Sequence, residues 1–143
     1  MASALTHGHG QDLLAAYKEA WERRDPERAV ALFSEDAEFR ADPFAEPLRG
    51  LNAIRAHWNA AATEQAHVEF DAEHIWVVGR TVLASWHAAL TRRATSERVR
   101  IRGFMTLEVD DAGLVWRFRE WALQRVVGTD RTVAPEPQAT QSG

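Results

Sequence analysis

The sequence predicts an α+β domain, with helices packed on one face of an antiparallel sheet that curls around them and leaves a cavity at its mouth. Three observations carry this. The 143 residues suffice for a single core and leave no room for a second domain. Apolar residues follow helical spacing, with one short strand-like break, as far as Gln65. Beyond Gln65 the period drops to two and four strand-like runs follow, an order that sets helices against one side of a sheet.

The elements follow in turn. Residues 1–10, small and polar, are expected to form a flexible arm. From Gln11, Leu13, Leu14, Tyr17 and Trp21 share one face of a first helix. Asp25-Pro26 ends it and starts a short second helix, with Asp25 as N-cap and Pro26 at the first helical position, burying Val30 and Phe33. EFRADPFAEPLRG, residues 38–50, reads as a strand that stops at Asp42-Pro43 and turns to a closing glycine. Leu51, Ile54, Trp58 and Ala61 then mark a third helix.

Four strands come next. In HVEFDAEHIWVV, Val68, Phe70, Ala72, His74 and Trp76 share a face, although Ile75 and Val77 indicate a bulge near Glu73. TVLASWHAALTRR sets Val82, Ala84, Trp86, Ala88 and Leu90 together. ERVRIRGFMTLEV alternates most cleanly, with Val99, Ile101, Gly103, Met105, Leu107 and Val109 opposed to Arg98, Arg100 and Arg102. DDAG supplies a hairpin turn, and LVWRFREWALQ brings Trp116, Phe118, Glu120 and Ala122 to one face. The folded domain is therefore expected over 11–126, with 127–143 a disordered tail.

Composition narrows the function. Acidic residues outnumber basic ones, 21 to 17, which argues against a nucleic-acid surface. No run approaches the roughly 20 apolar residues of a membrane span, so no membrane partner is expected. With no cysteine there is no disulfide and no thiolate metal site, which suits a reducing cytoplasm. The first residues lack the basic and apolar segments of a secretory signal. The HGH at 7–9 carries two histidines without the further ligands a metal site needs, and no metal or cofactor is expected.

Three stretches carry a resemblance. Tyr17 followed by ALFSEDAEFRADPFAEPLRG, AIRAHW at 53–58, and GFMTLEVDDAGLVWRFREW together resemble the nuclear transport factor 2-like superfamily, within it the SnoaL-like and ketosteroid isomerase-like branch. The resemblance implies a cone-shaped, cystatin-like fold: a curved mixed sheet on three helices with an internal cavity. That fold hosts isomerases, cyclases, dehydratases, epoxide hydrolases and non-enzymatic binding proteins.

The resemblance also implies candidate residues. Ketosteroid isomerases place a carboxylate base in the Asp-Pro turn, a tyrosine on the first helix, and a protonated aspartic acid on the penultimate strand. Asp42 and Tyr17 match the first two positions, as acid/base and hydrogen-bond donor; Met105 stands at the third and cannot donate. One extra residue between Asp36 and Asp42 sends Asp42 to the face opposite Phe39 and Ala41 unless a bulge restores it, and its other role is to cap the turn. SnoaL-like polyketide cyclases carry an acid near the end of the last strand, which Glu120 resembles. Among apolar neighbours Glu120 is either an acid/base with a raised pKa or one half of a pair with a rim arginine. The superfamily's epoxide hydrolases use an arginine and acids on adjacent strands, where this chain has Ala84, Trp86 and Ala88.

Trp58, His74, Trp86, Met105, Trp116 and Phe118 form the expected ligand-binding lining, with Trp76 a further candidate; filling of an ordinary core is the alternative role for the tryptophans. His57 is expected at the rim. Arg98, Arg100, Arg102, Arg117 and Arg119, interleaved with Phe104 and Trp121, line the outer face, which relatives use to form homodimers. The reading is thus a cavity for a small apolar or polycyclic molecule, with proton-transfer chemistry of isomerase or cyclase type. Its alternative is a non-catalytic binding or dimerisation module.

Overall fold

A computed structural model of the chain describes residues 3–135. The elements are α1 (His7–Glu22), α2 (Pro26–Val30), β1 (Phe33–Arg40), β2 (Leu48–Arg49), α3 (Leu51–Glu64), β3 (Gln65–Val78), β4 (Thr81–Arg92), β5 (Glu97–Val109) and β6 (Val115–Thr129). One six-stranded sheet has the order β2-β1-β6-β5-β4-β3. Its pairs are antiparallel except β1–β6, which is parallel, so the sheet is mixed as expected.

The helices bury their predicted stripes against the concave face. Leu14, Tyr17, Ala20 and Trp21 of α1 and Ile54 and Trp58 of α3 meet Phe70, Trp86, Met105, Leu107 and Phe118 from the sheet in one core. Asp25 caps α2 by accepting the Arg28 N–H, with Pro26 at its start. β4 alternates as predicted, with Val82, Ala84, Trp86, Ala88 and Leu90 all buried.

Both ends of the domain differ from expectation. The anticipated arm over 1–10 is corrected from Thr6 onward, because α1 begins at His7 and not at Gln11. Thr6 is its N-cap: the His9 N–H donates to Thr6 Oγ1 and the Thr6 N–H donates to His9 Nδ1, both at 3.1 Å. HGH is therefore a reciprocal cap built with histidine in place of the usual Glu or Gln. At the other end β6 runs to Thr129 rather than stopping near 126. Asp130 then accepts hydrogen bonds from Thr91 Oγ1 (2.6 Å) and Thr132 Oγ1 (2.6 Å) and contacts His67 Nδ1 at 2.8 Å, which ties the strand end to β3 and β4. The rest of the expected tail, 136–143, lies outside the described residues.

Two irregularities set which side chains face inward. On β3 the register shifts between Ala72 and His74, so Ile75 and Val77 turn inward while His74 and Trp76 turn out. On β6, Val115 pairs with Val109 and Arg117 with Glu108, which leaves Trp116 as the extra residue.

Candidate active site

A cavity of about 250 Å³ opens between α1, α3 and the concave face of the sheet. Each element contributes by its own period. α1 supplies Tyr17 and Trp21, one helical turn apart; α3 supplies His57, Trp58 and Ala61; β1 supplies Phe39, with Ala41 just past its end; and β6 supplies Glu120, Ala122 and Gln124 from its alternating inward row, with Leu123 at the edge. Gln65, Trp86 and Ile101 complete it.

Glu120 is the central polar group. It pairs in register with Met105, which is fully buried, and sits two residues from the equally buried Phe118. Its carboxyl has no hydrogen bond or ion pair with any described residue. It is half-buried in the cavity wall, and desolvation raises its pKa from 4.5 to about 8. At neutral pH the group is a protonated acid.

Tyr17 lines the same cavity. Burial, and secondarily the charge of Glu120, push its phenol well above the usual range, so it stays a hydrogen-bond donor. Its ring stacks on Phe118 with centroids 5.8 Å apart, and Phe118 stacks in turn on Phe39 at 4.6 Å. The indole N–H groups of Trp58 and Trp86 are buried without an acceptor among the described residues, whereas Trp21 donates to Gln65 Oε1 at 2.8 Å. Unpaired buried donors carry a desolvation cost.

His57 was expected at the rim but lines this cavity. It packs on Phe39 with ring centroids 4.7 Å apart, and desolvation lowers its pKa despite the opposing charge of Glu64. The spacing of His57 to Ala61 on one helix face was the available signal, and the adjacent Trp58 obscured it.

The remaining expected residues are distributed as follows. Asp42 is exposed in the turn after β1, where its Oδ1 accepts the Phe44 N–H at 2.9 Å; Ala37, Phe39 and Ala41 keep strict alternation inward, so no bulge returns Asp42 to the cavity. His74 is exposed beyond the β3 bulge, packed on Trp76. Trp116, the bulge residue, is 40% exposed with the Arg117 guanidinium 5.3 Å from its ring. Trp76 likewise faces out, against Phe104. Met105 and Phe118 are inward but lie beneath the lining, as its floor. Trp58 and Trp86 line the cavity. Among the described residues no cluster of three or more His, Asp or Glu side chains is placed to hold a metal ion, and no helix is long and apolar enough to cross a membrane.

Residues 14–118 match the SnoaL-like domain family. The chain belongs to that family. Glu120 lies just past the matched span of this SnoaL-like domain. No curated protein matches the chain. Among solved structures it is similar to SalBIII, an epoxide hydrolase/cyclase-like enzyme with a role in pyran ring formation in the polyether salinomycin, at TM-score 0.74 and 19% identity, covering 82% of this chain and 95% of that one. An LEH-like epoxide hydrolase from M. tuberculosis matches at TM-score 0.69 and 20% identity, over 81% and 84% of the two chains. A putative SnoaL-like polyketide cyclase from Shewanella denitrificans OS-217 matches at 0.70 and 17%, over 80% and 90%. These likenesses establish the fold.

Proposed function

We propose that this SnoaL-like domain binds a small, flat, largely apolar molecule in its aromatic cavity and moves a proton on it, as isomerases and cyclases do. Glu120 is the acid/base and Tyr17 the donor that supports oxygen as charge develops there. One observation carries the reading: a carboxyl with no hydrogen bond or ion pair to any described residue, set in a cavity wall with Tyr17, Trp58 and Trp86. Buried carboxyls without partners are costly, and such costs are concentrated at functional sites. The cyclase-like and epoxide hydrolase-like structural neighbours are consistent with it.

A thermal-shift screen of steroids, terpenoids and aromatic polyketides tests the binding half. Hits should raise Tm in wild type, and turnover of a hit should drop at least a hundredfold in Glu120→Gln. No shift with any apolar compound would remove the pocket reading. Binding with no turnover would favour a carrier or binding module, a reading to which the outward Asp42 gives some weight.

For partners, we propose a homodimer through the convex sheet face. Trp76, Phe104 and Trp121 form an apolar strip there. Charges beside the strip are paired within the chain, Glu69 with Arg98, Glu73 with Arg102 and Arg117 with Glu108, which leaves the aromatic strip itself as the contact.

A further inference from the structure

We propose that His57 is the cavity's base, working on the same ligand as Tyr17 and Glu120, and that the substrate is accordingly a neutral planar molecule that carries both an oxygen acceptor and a removable proton. The proposal rests on the cavity reading above and adds a second catalytic residue and a substrate class to it.

The geometry points this way. The charge of Glu120 acts on the Tyr17 phenol, and both line the cavity. Trp58 touches both Tyr17 and His57, with ring centroids 5.6 and 5.8 Å away, and Phe39 also packs on His57 at 4.7 Å. His57 and Tyr17 make no ring contact with each other, yet both line the one cavity with Glu120, so a single flat ligand can touch all three. Neither of its ring nitrogens is hydrogen-bonded to a described residue, unlike His9, His67 and His87, which are each engaged.

The charges agree. Among the described residues the titratable groups in the lining are Tyr17 from α1, His57 from α3 and Glu120 from β6, with no arginine, lysine or aspartate. Beyond the lining, Glu64 on His57's own helix is the charge that acts on it. A cavity without a cation has nothing to hold an anionic substrate, which selects neutral molecules. Desolvation lowers the His57 pKa and raises that of Glu120, so at neutral pH the imidazole is free to accept a proton while the carboxyl is loaded to give one. Two groups whose environments push their pKa values apart are the arrangement acid–base catalysis requires.

The test uses 5-nitrobenzisoxazole, a flat neutral heterocycle, with the full chain. Base removes the C–H proton; that electron pair forms the nitrile as the N–O bond breaks, and the phenolate oxygen receives the negative charge. Binding is read by quenching of tryptophan fluorescence, since Trp21, Trp58 and Trp86 line the cavity. Turnover is read by phenolate absorbance between pH 5 and 9.

The expected result is saturable binding and a rate that rises through a pKa below 6.5 and is already level at pH 7. His57→Ala should keep the quench, lose the rate by tenfold or more, and recover it with added imidazole, a rescue that a purely structural role would not show. His57→Phe, which keeps a ring on Phe39, should lose the same rate without rescue. Glu120→Gln should keep the low-pH limb. An unchanged rate in both His57 variants, or a rate that climbs only above pH 8 and disappears in Glu120→Gln, overturns the assignment while leaving the cavity reading in place. Failure of the probe to quench or saturate counts against the cavity reading itself, and the assignment falls with it.

Discussion

Trp86 lies so close over Gly103, its cross-strand partner, that a β-carbon at Gly103 would sit 2.5 Å from the indole Cζ2 and 2.9 Å from the Trp121 carbonyl oxygen. The absent side chain is what lets a fully buried tryptophan form a cavity wall. Gly103→Ala should destabilise by about 1–3 kcal/mol through overpacking, read by urea denaturation, and should weaken binding of any cavity ligand. A variant as stable as wild type would mean that Trp86 has room to move.

Glu120 makes stability depend on pH in an unusual direction. Its folded pKa of about 8 lies above its ordinary 4.5, so between those values the folded state holds a proton that the unfolded state has lost. Stability therefore falls as pH rises through that window and levels off above about 8. Glu120→Gln removes the dependence. The two proteins should melt alike near pH 4–5, and the variant should be more stable at pH 9 by up to about 5 kcal/mol, less whatever solvent reaches the half-buried carboxyl. Parallel stability curves across that range would show that the carboxyl is solvated.

Tyr17→Phe should separate chemistry from packing. The ring contacts with Trp58, Phe70 and Phe118 persist, so stability should stay within about 1 kcal/mol of wild type. Turnover of a substrate found by screening should fall by about tenfold to a hundredfold. Unchanged kcat would remove Tyr17 from the oxygen-binding role.

Asp42→Ala tests the residue that the Asp-Pro turn offered as a base. It should cost about 0.5–1 kcal/mol, because the Phe44 N–H loses its acceptor, and leave turnover unchanged. A large loss of kcat at unchanged stability would restore Asp42 to the chemistry.

For the convex face, Phe104→Asp and Trp121→Asp, on paired positions of β5 and β6, should each convert a dimer to a monomer in light scattering while leaving cavity binding measurable. A wild-type monomer at micromolar concentration would end the dimer proposal.

Local pattern made most of the fold legible. Leu14, Tyr17 and Trp21 mark the buried stripe of α1, and the alternation from Val99 to Val109 marks the inward row of β5, because burial on one face imposes the element's own period on the sequence. Capping was less legible: HGH looked like a polar arm, since the reciprocal bonds of Thr6 and His9 depend on a side chain seldom used there. Of the site, Tyr17, Trp58, Trp86 and Glu120 could be read from pattern and resemblance together, while Trp21, His57 and Gln65 could not.

By itself, then, the sequence determined the order and inward faces of the regular elements and hence the family's fold. Only the tertiary structure decided which acids and aromatics meet. In a strand one residue more or less reverses every later side chain, so the single extra residue at Trp116, the register shift before His74 and the phase of Asp42 moved three expected cavity residues to the outside. The same rule, with no irregularity between Phe118 and Gln124, carried Glu120 inward, to lie beside Met105 and share a cavity with Tyr17 and His57.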